Sequence, residues 1–183
     1  MNRPVLIGLP YDASSSFLRG AALAPAHVRE ALRTTAGNPW SERIVRSAST
    51  DVLEDAGDVA VPPTSDGRLV IERAIHDLVA AGRRFIALGG DHSVTYPIVR
   101  AVAPAFRSLT ILQIDAHPDL YDEFEGDRFS HACQFARIME ERLAVRLVQV
   151  GIRAMTGPGR DQAARFGVEQ IDMRAWADRK SVV

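Results

Sequence analysis

Short runs that are apolar along their whole length alternate with stretches of helical periodicity, and this alternation constrains the chain more than any other feature. Val5-Leu6-Ile7-Gly8-Leu9-Pro10, Phe85-Ile86-Ala87-Leu88, Leu109 to Ile114 (broken only by Thr110 and Gln113) and Arg146-Leu147-Val148-Gln149-Val150 read as strands. Between and after them, Pro25 to Leu32, Leu69 to Ala81, Ser93 to Ala103, Ala132 to Leu143 and Gln162 to Phe166 read as helices, with Val168 to Ile171 as one more strand. A strand that is apolar on both faces must be covered on both, and intervening helices do this when the strands run parallel. The expected class is α/β with a parallel sheet. Ligands in such sheets sit beyond the carboxyl ends of the strands. Two weaker strand candidates, Asp51-Val52-Leu53 and Val59-Ala60-Val61, flank a turn-like Asp55-Ala56-Gly57-Asp58.

The chain has 183 residues, which suits a single domain. A formal net charge of −1 gives no electrostatic footprint for nucleic acid or an anionic membrane. The lone cysteine, Cys133, excludes an internal disulfide and any CxxC motif, which fits a reducing compartment. The first apolar run is too short for a signal or membrane segment, so a cytoplasmic protein is expected. No GxGxxG, GxxxxGK[ST] or GxSxG pattern occurs, and Ser14-Ser15-Ser16 has no identifiable base.

Two polar stretches begin where strands end: Gly89-Gly90-Asp91-His92-Ser93, and the segment from Asp115 to His131. The alternation of strands and helices predicts that they lie side by side. Asp115, His117 and Asp119 occupy alternate positions, so an extended backbone turns all three to one side. Carboxylates brought close repel unless a cation lies between them. Aspartate oxygen mixed with histidine nitrogen, without thiolate, suits Mn2+, Fe2+, Ni2+ or Zn2+ better than Ca2+ or Mg2+. His92 is a candidate fourth ligand. His27 and His76 fall within amphipathic helices and read as surface residues. His131, after Ser130, is either a helix-start residue without a chemical role or a proton carrier beside a metal. The acidic loop from Leu120 to Phe129 is either a solvated loop or a reader of a cationic substrate.

These residues resemble the successive motifs of the ureohydrolase family, arginase, agmatinase and their relatives. The resemblance rests on Gly89-Gly90-Asp91-His92-Ser93, Asp115-Ala116-His117-Pro118-Asp119 and Ser130-His131. Ser15-Ser16-Phe17-Leu18-Arg19-Gly20, "YPIVRAV", "LYDEFEGDRFSHACQFARIMEE", "LVQVGIR" and "RFGVEQIDMR" look like its plant-type arginase/agmatinase branch. The resemblance implies a three-layer α/β/α fold with a parallel, eight-stranded sheet and a binuclear Mn2+ centre. It implies that His92, Asp115 and Asp119 ligate one metal and that His117, with bridging Asp115, ligates the other. His131 matches the family's proton-shuttling histidine. The implied reaction hydrolyses a small cationic guanidino substrate, agmatine or arginine, to urea and an amine, in a full-length form that is a homo-oligomer. Neither nucleic acid nor membrane is an expected partner, and substrate-binding residues are not assigned.

The family's third metal motif, Asp-x-Asp on a later strand, does not occur after residue 119. The expectation is therefore a single ureohydrolase-like domain, 1–183, without its C-terminal strands and truncated before that motif. On this reading the second metal site is incomplete and hydrolysis by this chain is impaired. The alternative is a non-catalytic, metal-binding remnant of the family.

Overall fold

Five consecutive residues, Val5–Leu9, are buried on both faces and form β1, the strand around which the first half is built. A computed structural model describes residues 3–34, 37–43 and 52–178. It divides into two compact units, Met1–Ala101 and Val102–Val183. In the first, β1 is flanked by β2 (Glu54–Asp58) and β3 (Phe85–Gly89), both parallel to it, in the order β2-β1-β3. Helices α1 (Ala24–Arg33) and α2 (Gly67–Ala80) supply the crossovers, and α3 (Thr95–Val102) follows β3. Ile71 and Ile75, one turn apart on α2, are fully buried, as the helical spacing of apolar residues requires.

The second unit repeats the plan with β4 (Thr110–Ile114), β5 (Arg146–Ile152) and β6 (Glu169–Asp172), all parallel in the order β4-β5-β6. Its helices are α4 (Gln134–Glu140), α5 (Gly157–Phe166) and α6 (Met173–Ala177). The expected α/β class with parallel strands is thus observed. Among the described residues no helix is long and apolar enough to cross a membrane.

One expectation is overturned. The supposed turn Asp55-Ala56-Gly57-Asp58 is the strand β2 itself. These residues have poor strand propensity, and tertiary pairing overrides it. Val5 and Leu6 of β1 pair with Glu54 and Asp55, and Gly57, at φ 74°, lies beside a register shift. The carboxylates are held by cations. Arg29, itself buried, bonds Asp55 at 3.0 Å and ion-pairs with Asp58, while Arg83 bonds Glu54. Burial works against the Arg29 charge, yet hydrogen bonds from its side chain to Asp58 and Asp55 raise its pKa overall. Neither flanking candidate forms a strand among the described residues, and Asp51 lies outside them.

Smaller differences follow from end chemistry. Helix α5 starts at Gly157, well before Gln162, because the Thr156 hydroxyl accepts from the Gly159 N–H and Pro158 fits the first turn. Helix α4 is shorter than expected, since Ala132 and Cys133 belong to the turn before it. The short helix α6, capped by Asp172 through a 2.8 Å bond from the Ala175 N–H, has no apolar repeat to reveal it.

Candidate metal centre

In the first unit β3 ends at Gly89, and Gly90 passes so close to the Tyr11 backbone that a Cβ there would collide with it. That approach lets the Asp91 N–H bond the Tyr11 carbonyl at 2.8 Å. The buried Asp91 carboxylate then gathers donors from two segments. One oxygen accepts from the backbone N–H and the hydroxyl of Ser93; the other accepts from the Ser14 N–H and the Ser15 hydroxyl, both at 3.1 Å. Asp91 is therefore an architectural clamp. It starts the 3-10 turn that carries half-buried His92.

In the second unit β4 ends at Ile114 and the chain leaves the sheet through Asp115-Ala116-His117-Pro118-Asp119. Gly151 of β5 adopts φ 88° directly beside the Asp115 carbonyl, a conformation that favours glycine. The Asp115 N–H bonds the Val150 carbonyl, and the Arg153 and Ala154 N–H groups both bond the Ala116 carbonyl. The segment is thus pinned to the end of β5. Asp115 accepts from the His117 N–H at 3.0 Å, and the His117 ring lies 3.7 Å from the same carboxylate oxygen. Asp119, buried and at φ 49°, accepts 2.7 Å from the fully buried Gln134 amide of α4. An aspartate tolerates the left-handed region better than most residues. Asp115 and His117 line a cavity of about 550 Å³ with Ile114, Arg153, Met173 and Trp176.

His131 is half-buried in the turn before α4, where Cys133 bonds back to the Ser130 carbonyl. The turn is set by the acidic loop ahead of it. Phe124 and Asp127 exchange two backbone hydrogen bonds around Glu125 and Gly126, both at positive φ, the geometry of a type I′ hairpin turn. Buried Arg137 of α4 bonds both the carbonyl and the carboxylate of Asp122, and Arg128 bonds that carboxylate with both oxygens at 2.9 Å. Asp122 is consequently spent on loop order. The Cys133 thiol is fully buried, and burial pushes its pKa up to about 11, so it stays protonated. His27 and His76 are exposed, as expected of surface residues.

A row of three glutamines escaped the sequence reading. Gln113, Gln149 and Gln170 are register partners across β4, β5 and β6. The signal was present: each strand carries one glutamine, and those of β4 and β5 sit between apolar neighbours.

With this geometry established, comparison with known proteins decides the lineage. The model of the Arginase family matches residues 2–182. The chain belongs to the arginase family. It is similar to Arginase 2, chloroplastic/mitochondrial, of Arabidopsis thaliana, at 43% identity over 97% of this chain and 54% of that protein. It is also similar to N(1)-aminopropylagmatine ureohydrolase of Thermus thermophilus, at 38% identity over 91% of this chain and 56% of that one. Among solved structures, arginase from Medicago truncatula superposes with a TM-score of 0.85 at 39% identity, covering 96% of this chain and 58% of that one. The fold is therefore the arginase-like α/β fold with parallel sheets. The chain spans about half the length of the curated relatives it matches. The family is one of ureohydrolases acting on guanidino compounds.

Proposed function

We propose that this chain is the N-terminal part of a single ureohydrolase-type domain that hydrolyses a guanidino compound, arginine or agmatine, to urea and an amine with bound Mn2+. The observation that carries the reading is the match of the Arginase family to residues 2–182, with both candidate metal motifs present at strand ends. We take His92, Asp115 and Asp119, matched by their motifs, as the candidate ligands of one ion. His117, beside Asp115, is the candidate for a second. The donor set fits such a metal: carboxylate and imidazole without thiolate.

A guanidinium carbon is a poor electrophile, because its charge is spread over three nitrogens, so hydrolysis at neutral pH requires a strong nucleophile. A bound divalent metal supplies one by lowering the pKa of water from about 15.7 toward ~7. His131 then gives a proton from its imidazole to the departing amine, which would otherwise leave as a high-energy anion. Asp115 and Asp119 keep the site negative enough to hold the ion and to attract a cationic substrate.

Within these 183 residues Asp115 is shared, so the four ligands furnish three donors for one metal and two for the other. We expect one weakly held ion and little turnover. The test is urea release from arginine and from agmatine by the Mn2+-loaded chain, with metal counted and a His131→Ala variant alongside. Two ions per chain and urea that disappears in the variant would overturn the impairment and name the substrate. One ion without urea supports it. No metal at all would sink the metal-dependent reading for this chain.

A further inference from the structure

We propose that Gln170, Gln149 and Gln113 form a directional amide relay that positions Asp115 for metal; this rests on the metal reading above. The order of donors is fixed by its end. The Asp115 carboxylate and the backbone carbonyls can only accept, so the Gln113 amide nitrogen faces them, bonding Asp115 Oδ2 at 3.2 Å and the His117 carbonyl at 3.0 Å. That orientation turns Gln113 Oε1 toward β5, where Gln149 Nε2 donates to it at 2.6 Å and to the Pro118 carbonyl at 2.7 Å. Gln149 Oε1 in turn accepts from Gln170 Nε2 at 2.6 Å. Three strands thus hold three points of the Asp115-to-Pro118 segment through one chain of hydrogen bonds.

Packing alone does not call for this row. Gln113 and Gln149 are buried, at 5% and 0% exposure, where a parallel sheet ordinarily places Val, Ile or Leu. Burying an amide is costly unless it is fully bonded, and polar networks are useful chiefly for specifying geometry. The chemistry of the donor matters as well. An arginine at position 113 would fix Asp115 equally well but would bring a positive charge against an incoming cation. A neutral amide orients the carboxylate and leaves its charge in place for the metal. Gln134 does the same for Asp119 at 2.7 Å. By contrast, the carboxylates with architectural roles at Asp55, Asp58 and Asp122 are held by Arg29 and Arg137. Groups behind a metal ligand typically alter affinity by about 10–100-fold.

The experiment measures Mn2+ affinity and metal-free thermal unfolding for the 183-residue chain and for Gln113→Met, Gln149→Met and Gln170→Met. Positioning predicts that affinity falls most for Gln113→Met, by about 10-fold or more, and progressively less for Gln149→Met and Gln170→Met. A purely structural row predicts a different order, in which melting drops most for Gln149→Met, the most buried, with affinity unchanged. That second result overturns the proposal and leaves the metal reading intact. If the unsubstituted chain binds no Mn2+, the metal reading fails and the relay has no ligand to position. Should Gln113→Met or Gln149→Met not fold, half-buried Gln170→Met decides alone: weaker Mn2+ binding at unchanged melting supports the relay, and unchanged binding overturns it.

Discussion

Asp91 and Asp115 each stand just beyond the end of a parallel strand, one in each unit, yet the two carboxylates are used differently. Asp91 takes four donors, two on each oxygen, and ties the β3 exit to the Ser14-Ser15 loop. Asp115 accepts from the neutral Gln113 amide and from the His117 peptide N–H. A strand-end aspartate therefore becomes a clamp when the adjoining loop supplies serines and peptide N–H groups to both oxygens. It remains suited to a ligand role when neutral donors orient it and leave its charge in place. The sharpest way to break the clamp is upstream of it. Gly90→Ala drives a methyl into the Tyr11 backbone, which cannot yield as a side chain can. The expected loss is about 3 kcal/mol, at the upper end for overpacking, measured by thermal or urea unfolding. A loss below about 1 kcal/mol would mean that the clamp is loose.

The next test sets the two aspartates against each other. Asp91→Ala strands buried donors and should cost about 2 kcal/mol in the metal-free chain. Asp115→Ala should cost under about 1 kcal/mol, because Gln113 keeps the His117 carbonyl as an acceptor, yet it should abolish Mn2+ binding. Paired unfolding curves and metal titrations check both. Equal destabilisation by the two substitutions would erase the distinction between clamp and ligand.

How much of this was legible beforehand depends on whether the signal was local. The strands β1 and β3 were readable as uninterrupted apolar runs, and β4 and β5 as runs that stay mainly apolar despite Thr110, Gln113, Arg146 and Gln149. The positions of His92, Asp115, His117 and Asp119 beyond strand ends were readable because they fall just after those runs. β2 was not readable. Its Glu54-Asp55-Ala56-Gly57-Asp58 sequence argues for a turn, and only pairing with β1 and neutralisation by Arg29 and Arg83 make it a strand. Gln113 and Gln149 looked like interruptions in apolar runs. Their meaning depends on a three-strand register that a linear reading does not contain, although a matched glutamine in each of β4, β5 and β6 was the clue.

The smallest effect concerns a carboxylate held by cations, and it sharpens the contrast with those held by amides. The hydrogen bond from Arg137 depresses the Asp122 pKa below its ordinary value of 3.8, with Arg128 adding to it. A carboxyl group whose pKa is lower folded than unfolded stabilises the fold above the unfolded value, and that contribution disappears as pH falls through the folded one. The Asp122 contribution is therefore intact at neutral pH and fades only below about 3.8. Because Asp122 is half-exposed, solvent screening keeps it small. Asp122→Asn should flatten the acid limb of the stability–pH curve while leaving neutral-pH Mn2+ affinity unchanged, since this carboxylate orders the loop and offers nothing to the ion. A loss of Mn2+ affinity in that variant would show that arginine-held and amide-held carboxylates are not separate classes, and that the loop between them carries the metal site as a unit.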